Sequence, residues 1–467
     1  MELMKTEKDV LSDKDILKYI SDYEVIEVPD LAKLWRYYTA DNATIQDRKA
    51  PDPNNPDNKT PVPYGRKIVN TLTGYAYRPR YITYKTEDEA YMTQLQDTFN
   101  LNHEHIKTSR AGRNTAIFGA AYEVMYVEGD RMKLQRKAEP RFFPADPREL
   151  ILLYDYSPEP LKKMAIRYYK INPNLYKVEM YYGDRIQTFD RTKTDSGEWR
   201  LTSTGEFPNF YDAVPVVSYY FGDEMLGVIK PVIPLIDDYD VLVSDSINEF
   251  DRFAHAYLLL VKFALTNPAK DKDPSAFNRM LQNIKRRRVF ENLPDKDAVS
   301  FLTKDIPTDF MTFMSELIRN EIHSQSHVPD FTSKTFSAEI SGVAVQRLLF
   351  DFENVVSSAE ADFDLGLQER LNLINVIYAK AGRPVGDIND VTISHKRNLP
   401  VNLKEFADTA VAMLGAGFSR YLVADIMPDD IIPDVQEELD RQDEERAGMV
   451  DVDMFGPEDT ADNADTE

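Results

Sequence analysis

The chain of 467 residues contains no cysteine. It therefore cannot form disulfide bonds, bind a metal through thiolates or use a cysteine as a nucleophile. It also lacks any apolar run near the ~18 residues that cross a bilayer, so we expect no transmembrane helix. The first ten residues, MELMKTEKDV, mix acidic and basic side chains without an apolar segment, and they do not resemble a signal peptide.

Motifs that carry catalysis or bind cofactors are missing as well. No glycine precedes Lys-Ser or Lys-Thr, so there is no P-loop, and no GxGxxG opens a dinucleotide site. His103 and His105 are two residues apart and do not share a helix face. His323 and His327 are four apart and share one, but the sequence offers no third ligand. We expect no catalytic residue, no metal site and no cofactor.

Positive charge is scarce. The chain has 56 Lys and Arg against 79 Asp and Glu, a net charge of -23, which argues against DNA binding through a broad basic surface. Residues 437–467 hold 13 acids and 2 bases, a net of -11 that is nearly half of the excess. We predict that residues 448–467 form a disordered acidic tail.

One basic run interrupts this pattern. Its members are consecutive: Lys285, Arg286, Arg287 and Arg288. A run of this kind either forms a solvated or subunit-contacting patch, or touches a nucleic-acid backbone.

The first half of the chain predicts helices, then strands. Five prolines between Pro51 and Pro63 exclude a helix or a central strand and predict an extended arm. A helix is expected over 107–120. Residues 120–221 predict an antiparallel β region, in which Gly129-Asp130 and Gly183-Asp184 each join two alternating strands by a tight turn.

The second half predicts long helices. Apolar residues recur at helical spacing over 232–261, from 308 to 328 and over 343–381, and shorter helices follow over 401–447. Gly382 is the expected C-cap of the longest helix. An acidic stripe runs along the first of these helices. Its members are Asp238, Asp245, Glu249 and Arg252, with Asp240 and Asp251 beside them.

Several strings, in this order, resemble the portal proteins of tailed double-stranded DNA bacteriophages, in particular long-tailed phages of Gram-positive hosts. They are VPYGRKIVNTLTGYAY (62–77), GEFPNFYDAVPVV (205–217), VIPLIDDYDVLVSD (232–245), FAHAYLLL (253–260) and SGVAVQRLLFDFEN (341–354). The likeness covers about residues 30 to 440. None of the strings is a catalytic signature, so the specificity comes from their number and order.

The resemblance implies a mixed α+β, mainly α, portal fold in one interleaved chain. Its parts would be a wing (1–229, β-rich over 120–221), stem helix 1 (230–263), clip (264–305), stem helix 2 (306–328), tunnel loop (329–342), wing spine helix (343–397), crown (398–447) and the acidic tail (448–467).

The resemblance also implies a function without catalysis. Such proteins form a ring, typically a dodecamer, at one capsid vertex of the virion, after assembly in the host cytoplasm. DNA passes through the ring without sequence recognition, and the terminase motor, the head-tail adaptor and the capsid and scaffold proteins are the expected partners. A nuclease or protease, or another adaptor or scaffold-type assembly protein, are the alternatives.

The candidate contact residues follow from this correspondence. The tunnel loop carries Thr332, Ser333, Lys334 and Thr335, which would offer weak backbone contacts to DNA unless the loop merely connects two helices. The basic run falls in the clip, near a docking surface for the motor or adaptor. The acidic stripe of the stem faces either the DNA, which it would not grip, or a neighbouring subunit.

Overall fold

The computed structural model describes residues 3–50, 55–127, 138–254, 257–260, 299–302, 308–332, 342–397, 403–425, 427, 432, 435 and 438–444. The chain divides into two compact units. The first combines residues 1–330 with 350–397, and the second combines 331–349 with 398–467. Each unit therefore contains segments that are far apart in the sequence. The predicted tail and both basic candidates, Lys285–Arg288 and Ser333–Thr335, lie outside the described residues.

Ten α-helices lie in the described residues. In order they are α1 (Asp13–Tyr38), α2 (Ala43–Gln46), α3 (Tyr64–Ala76), α4 (Glu89–Asn102), α5 (Glu104–Phe118), α6 (Ile233–Ala254), α7 (Thr308–Gln325), α8 (Gly342–Lys380), α9 (Leu403–Gly415) and α10 (Arg420–Asp425). A capping box begins α1: Ser12 Oγ accepts from the Asp15 amide, and the Asp15 carboxylate accepts from the Ser12 amide. No described helix combines the length and apolarity that a bilayer crossing needs.

Eight of the thirteen described strands follow one another between residues 120 and 220. In order they are β1 (Met4–Lys5), β2 (Ile82–Lys85), β3 (Ala120–Val127), β4 (Pro140–Ala145), β5 (Leu150–Tyr154), β6 (Lys162–Asn172), β7 (Leu175–Tyr181), β8 (Arg185–Lys193), β9 (Trp199–Pro208), β10 (Val216–Tyr220), β11 (Tyr257–Leu260), β12 (Val299–Leu302) and β13 (Thr392–His395).

Two sheets build the β region. One has six strands in the order β1-β5-β6-β7-β8-β9, and the other has three in the order β10-β3-β4. Side chains from both sheets share an apolar cluster that includes Val124, Leu150, Leu152 and Val216. All pairs are antiparallel except β1 with β5, which is parallel. The prediction of an antiparallel β region over 120–221 is confirmed.

The second predicted hairpin is confirmed, although neither Gly183 nor Asp184 has a positive φ. β7 and β8 pair antiparallel, and the Tyr182 amide donates to the Arg185 carbonyl at 2.9 Å, which closes a two-residue turn at Gly183-Asp184. The turn of the first predicted hairpin lies outside the described residues, together with 131–137. Within the described part, β3 pairs with β4, which begins only at Pro140.

The 39-residue helix α8 is the spine of the fold, as predicted over 343–381. Within the first unit, Phe363 packs between the rings of Tyr77 and Tyr219, at centroid distances of 5.0 and 4.6 Å. Gly366 lets strand β10 approach the helix closely, because a Cβ there would lie 2.7 Å from the Ser218 carbonyl oxygen. Gly382, with a φ of 66°, ends the spine as expected.

A buried ion cluster joins the spine to the elements beneath it. Arg370 has 0% exposure, and it donates to Glu123 on β3 at 2.8 Å and to Glu104 on α5 at 3.0 Å. Thr108 and Tyr219 complete the cluster: Thr108 accepts from Arg370 at 2.9 Å, and Tyr219 donates to Glu123 at 3.1 Å. One guanidinium thus connects three elements through charge-assisted hydrogen bonds.

The helix predicted over 232–261 is shorter in the structure. α6 ends at Ala254, and Tyr257–Leu260 is a strand that pairs antiparallel with β12. A short apolar run such as YLLL fits a helix face and a strand equally well, and its partner strand decides the outcome. At 22 residues α6 is about 33 Å long, which is shorter than a helix over 232–261 would be.

The helix predicted from 308 to 328 also ends earlier in the structure. α7 ends at Gln325, three residues before Val328. His327 has a φ of 56°, and the ring of His323 bonds the Val328 carbonyl oxygen at 2.8 Å, so the chain turns before Pro329. The pair of histidines is therefore part of a helix end, and the described residues contain no group of three or more His, Asp or Glu that could hold a metal ion.

The second unit contains short helices, as predicted for 401–447. α9 is followed by Gly417, whose φ is 89°, and then by α10. Arg420, at the start of α10, donates to Asp443 at 2.7 Å, which ties the described residues 438–444 to that helix.

Candidate functional site

The helix pair α6 and α7 carries the predicted stem. The two helices pack against each other. Tyr239 of α6 approaches Ser315 of α7 at 3.4 Å between the hydroxyl oxygens. Tyr64, at the start of α3, packs edge-on against Tyr239 of α6 and His323 of α7. It therefore connects both helices to α3.

One face of α6 is polar and buried. Its side chains lie three or four residues apart, which places them in a row along the helix; they are Asp240, Ser244, Asn248 and Asp251. We call this row the polar seam. Asp240 and Ser244 have 0% exposure, which is unusual for polar residues unless hydrogen bonds satisfy them.

The partner of the polar seam is the proline-rich arm, residues 55–62. Backbone amides of alternate arm residues donate to successive seam residues: Val62 to Asp240 at 2.7 Å, Thr60 to Ser244 at 3.0 Å, and Asn58 to Asn248 at 2.7 Å. Two residues of extended chain advance about 6.6 Å, and four residues of helix advance about 6 Å. Because the two spacings match, every second amide of the extended arm can donate to every fourth side chain of the helix.

Side chains strengthen this attachment. Asn42 donates to Asp240 at 2.6 Å, and the Asn58 amide group donates to Asp251 at 2.8 Å. Burial raises the pKa of Asp240 to about 6, although the hydrogen bonds from the Asn42 side chain and the Val62 amide favour the ionised form. The carboxyl group therefore titrates near pH 6.

The acidic stripe predicted on α6 has a divided environment. Asp238 is exposed to solvent, whereas Asp245 forms an ion pair with Arg48 at 3.0 Å. Glu249 is half-buried, and the side chain of Arg252 is not described. Asp240 and Asp251, predicted to lie beside the stripe, belong to the polar seam and contact the arm. Of the described stripe residues, Asp238 and Asp245 are exposed, and Asp245 is engaged by Arg48.

Large apolar side chains are exposed on the other stem helix. Sequence periodicity gives α7 one apolar stripe, but the structure buries only its C-terminal part, at Ile318 and Ile322. Phe310 and Phe313 are each 60% exposed and Leu317 is 42% exposed, and they share one helix face. A contiguous apolar surface of this kind indicates an interaction site.

Of the four tunnel-loop residues predicted to contact DNA, the structure describes Thr332. It is exposed and belongs to the second unit, whereas Ser333, Lys334 and Thr335 lie outside the described residues, as does the run Lys285–Arg288. The polar seam is the feature that the sequence analysis missed. Its signal was present in the small polar residues at positions 240, 244 and 248, which recur at the four-residue spacing of one helix face.

Comparisons with known proteins agree with the resemblance seen in the sequence. The family model described as "Phage portal protein, SPP1 Gp6-like" matches residues 17–450. The portal protein of Bacillus phage SPP1 is 23% identical over 320 residues, which are 65% of this chain. The match spans 60% of the length of that relative.

Among solved structures, a chain from the neck of an empty GTA particle, determined with C6 symmetry, is similar over 84% of this chain and 90% of its own length. The TM-score is 0.46 and the sequence identity is 11%.

Proposed function

The chain belongs to the SPP1 Gp6-like family of phage portal proteins, and from this premise we propose that copies of it form a ring at one vertex of the capsid. Double-stranded DNA would pass through the centre of the ring during packaging and ejection. The family match covers nearly the whole chain and favours this function over an unrelated adaptor or scaffold. The ring acts as a conduit, and the terminase motor that docks on it supplies the energy.

The exposed apolar face of α7 carries the proposal. Phe310, Phe313 and Leu317 cover one side of an 18-residue helix. Leaving these side chains in water is unfavourable. Because portal proteins assemble into rings, a second copy of the chain is the partner that we expect to cover them. In a ring, each copy presents one face to the next copy and a different face to the previous one. The apolar face of α7 in each copy would then be covered by the neighbouring copy.

We expect Phe313→Ser to weaken assembly. Burying a phenylalanine contributes about 1.5–3 kcal/mol, so the concentration needed for assembly should rise at least about tenfold. Mass photometry over a concentration series measures this, and negative-stain images show whether rings with a central hole are present. Phe210→Ser, at an exposed aromatic residue after β9, is the matched control and should assemble normally. A wild-type chain that stays monomeric at every concentration would count against the ring.

We propose that Asp238 faces the DNA channel. A carboxylate offers no attraction to phosphates, so DNA would slide past it without being held. The other orientation, toward a neighbouring subunit, remains the competing arrangement and predicts a different phenotype.

Asp238→Lys should leave the ring intact and reduce DNA filling severalfold, because a circle of lysines would bind the passing backbone. The readout is nuclease-protected DNA per assembled head. Asp195→Lys, an exposed acid in the turn between β8 and β9, makes the same charge change elsewhere and should fill heads normally. If Asp238→Lys instead abolishes ring formation, the side chain faces a neighbouring subunit.

Two parts of the proposal rest on the sequence. We propose that Thr332, Ser333, Lys334 and Thr335 form a loop that touches the DNA backbone, and that Lys285, Arg286, Arg287 and Arg288 lie near the docking surface for the motor or the head-tail adaptor. Both assignments follow the order of parts in the family.

A further inference from the structure

A lysine of α3 holds the chain just before the residues predicted to contact DNA. Lys67 donates to the Asp330 carboxylate at 2.9 Å, and its ammonium nitrogen lies 3.5 Å from the Nε2 atom of His323. The side chains of Asp330 and His323 are 13% and 9% exposed. The contacts join α3, the last turn of α7 and the segment that follows α7. We call Lys67, His323 and Asp330 the loop anchor.

The histidine of the loop anchor has one protonation state that fits its contacts. A carbonyl oxygen only accepts, so the Nδ1 atom of His323 carries the proton in its 2.8 Å bond to the Val328 carbonyl. Burial lowers the pKa of His323, and the charge of Lys67 acts in the same direction, so the ring is neutral. Its Nε2 atom therefore faces the ammonium group of Lys67 as an acceptor, beside the carboxylate of Asp330.

The chain between α7 and the loop anchor is itself fixed by hydrogen bonds. The Ser326 amide donates to the Ile322 carbonyl at 3.1 Å, and the Val328 amide donates to the Ser326 hydroxyl at 3.3 Å. Val328 is 1% exposed. Asp330 is the last residue of the first unit, and the second unit begins at Phe331. The turn and the ion pair therefore fix the backbone up to the residue at which the first unit ends.

We propose that Lys67 is a positioning residue for DNA passage, because it fixes the point at which the predicted DNA-contact segment, residues 332–335, leaves the first unit. Thr332 follows Asp330 by two residues, so at most about 7 Å of backbone separates them. The lysine does not itself contact DNA in this arrangement, because its ammonium group is engaged by Asp330. This inference rests on the proposed function, in which residues 332–335 touch the DNA backbone.

Lys67→Met and Asp330→Asn should each reduce the DNA filling of heads severalfold while rings assemble normally. The two substitutions break the same ion pair from opposite sides, so the double variant should lose no more filling than either single variant. Lys67→Arg keeps a cationic donor at this position and should retain most of the filling. Nuclease-protected DNA per assembled head measures filling, and negative-stain images show whether the rings are intact.

Lys177→Met is the matched control. Lys177 of β7 forms an ion pair with Asp190 of β8 at 2.5 Å, and its side chain is 38% exposed, against 36% for Lys67. The control removes the same charge and the same kind of ion pair at another place. The urea midpoints of Lys67→Met and Lys177→Met should therefore shift by similar amounts, whereas heads that contain Lys177→Met should fill normally.

Several outcomes would overturn the proposal. Reduced filling with Lys67→Met but not with Asp330→Asn would show that the lysine contacts DNA directly. An equal loss with Lys177→Met would reduce the effect to a general loss of stability. Normal filling with both anchor variants, together with reduced filling in Lys334→Ala, would reject the loop anchor and leave the proposed DNA contact standing. Normal filling in all three variants would reject both.

Discussion

Arg370→Met is expected to lower the free energy of unfolding by about 3–5 kcal/mol, the usual cost of removing one partner from a buried ion cluster. Methionine keeps much of the side-chain volume, so the loss is mainly electrostatic. Glu104 and Glu123 would remain buried without a counter-charge. Urea denaturation at pH 7 measures the change.

The pH dependence of this variant provides an independent check. In the wild type, burial raises the pKa of Glu123 despite the attraction of Arg370. Without the arginine this pKa should rise further. A raised carboxyl pKa means that the folded state binds a proton more tightly than the unfolded state, so stability is lost as the pH rises through the folded pKa. Arg370→Met should therefore recover part of its stability on acidification from pH 7 to pH 5.

The matched control lies on the same helix. Lys380 of α8 pairs with Asp212 at 2.7 Å, but both side chains are exposed, and Lys380→Met should change stability by less than about 1 kcal/mol. If Arg370→Met were as mild as this control, the buried cluster would not hold α8 to α5 and β3.

Asp240→Asn is expected to remove a pH-dependent share of stability. The pKa of Asp240 is raised by burial from 3.8 to about 6. Its contribution to stability is therefore complete below about pH 4 and is lost as the pH rises through 6. A shift of this size corresponds to about 2–3 kcal/mol. The difference in unfolding free energy between wild type and variant should change by that amount between pH 4 and pH 7.

Two comparisons make this prediction specific to the carboxyl group. Ser244→Ala removes another member of the polar seam that accepts an arm amide, but it introduces no change in a titrating group. Its cost, about 1–3 kcal/mol for the unpaired amide, should be the same at each pH. A pH-independent difference for Asp240→Asn would show that the carboxyl group does not titrate in this range.

Much of the fold was predictable because its signals are local. The hairpin at Gly183-Asp184 needs only two adjacent strands joined by a short turn, and α8 repeats its apolar positions over 39 residues before a left-handed glycine ends it. The strand β11 was not predictable, because its identity depends on pairing with β12 across a long insertion. The pairing of β2 with β13 has the same origin, since those strands come from opposite ends of the chain.

The candidate site shows the same limit. Periodicity placed Asp238, Asp245 and Asp240 on α6 but could not distinguish a carboxylate in water from one paired with Arg48 or one buried under the arm. That distinction depends on a segment about 180 residues earlier in the chain.

The attachment of the arm to α6 determines which substitutions the arm can accept over evolution. Its amides at 58, 60 and 62 are used, so proline, which has no amide hydrogen, is excluded at those positions. The prolines present at 56, 61 and 63 fall between or outside them. Because main-chain atoms make these three contacts, the contacts do not depend on which side chains the arm carries at 60 and 62, whereas Asp240, Ser244 and Asn248 are constrained. The helix should therefore keep its sequence in relatives whose arms have diverged.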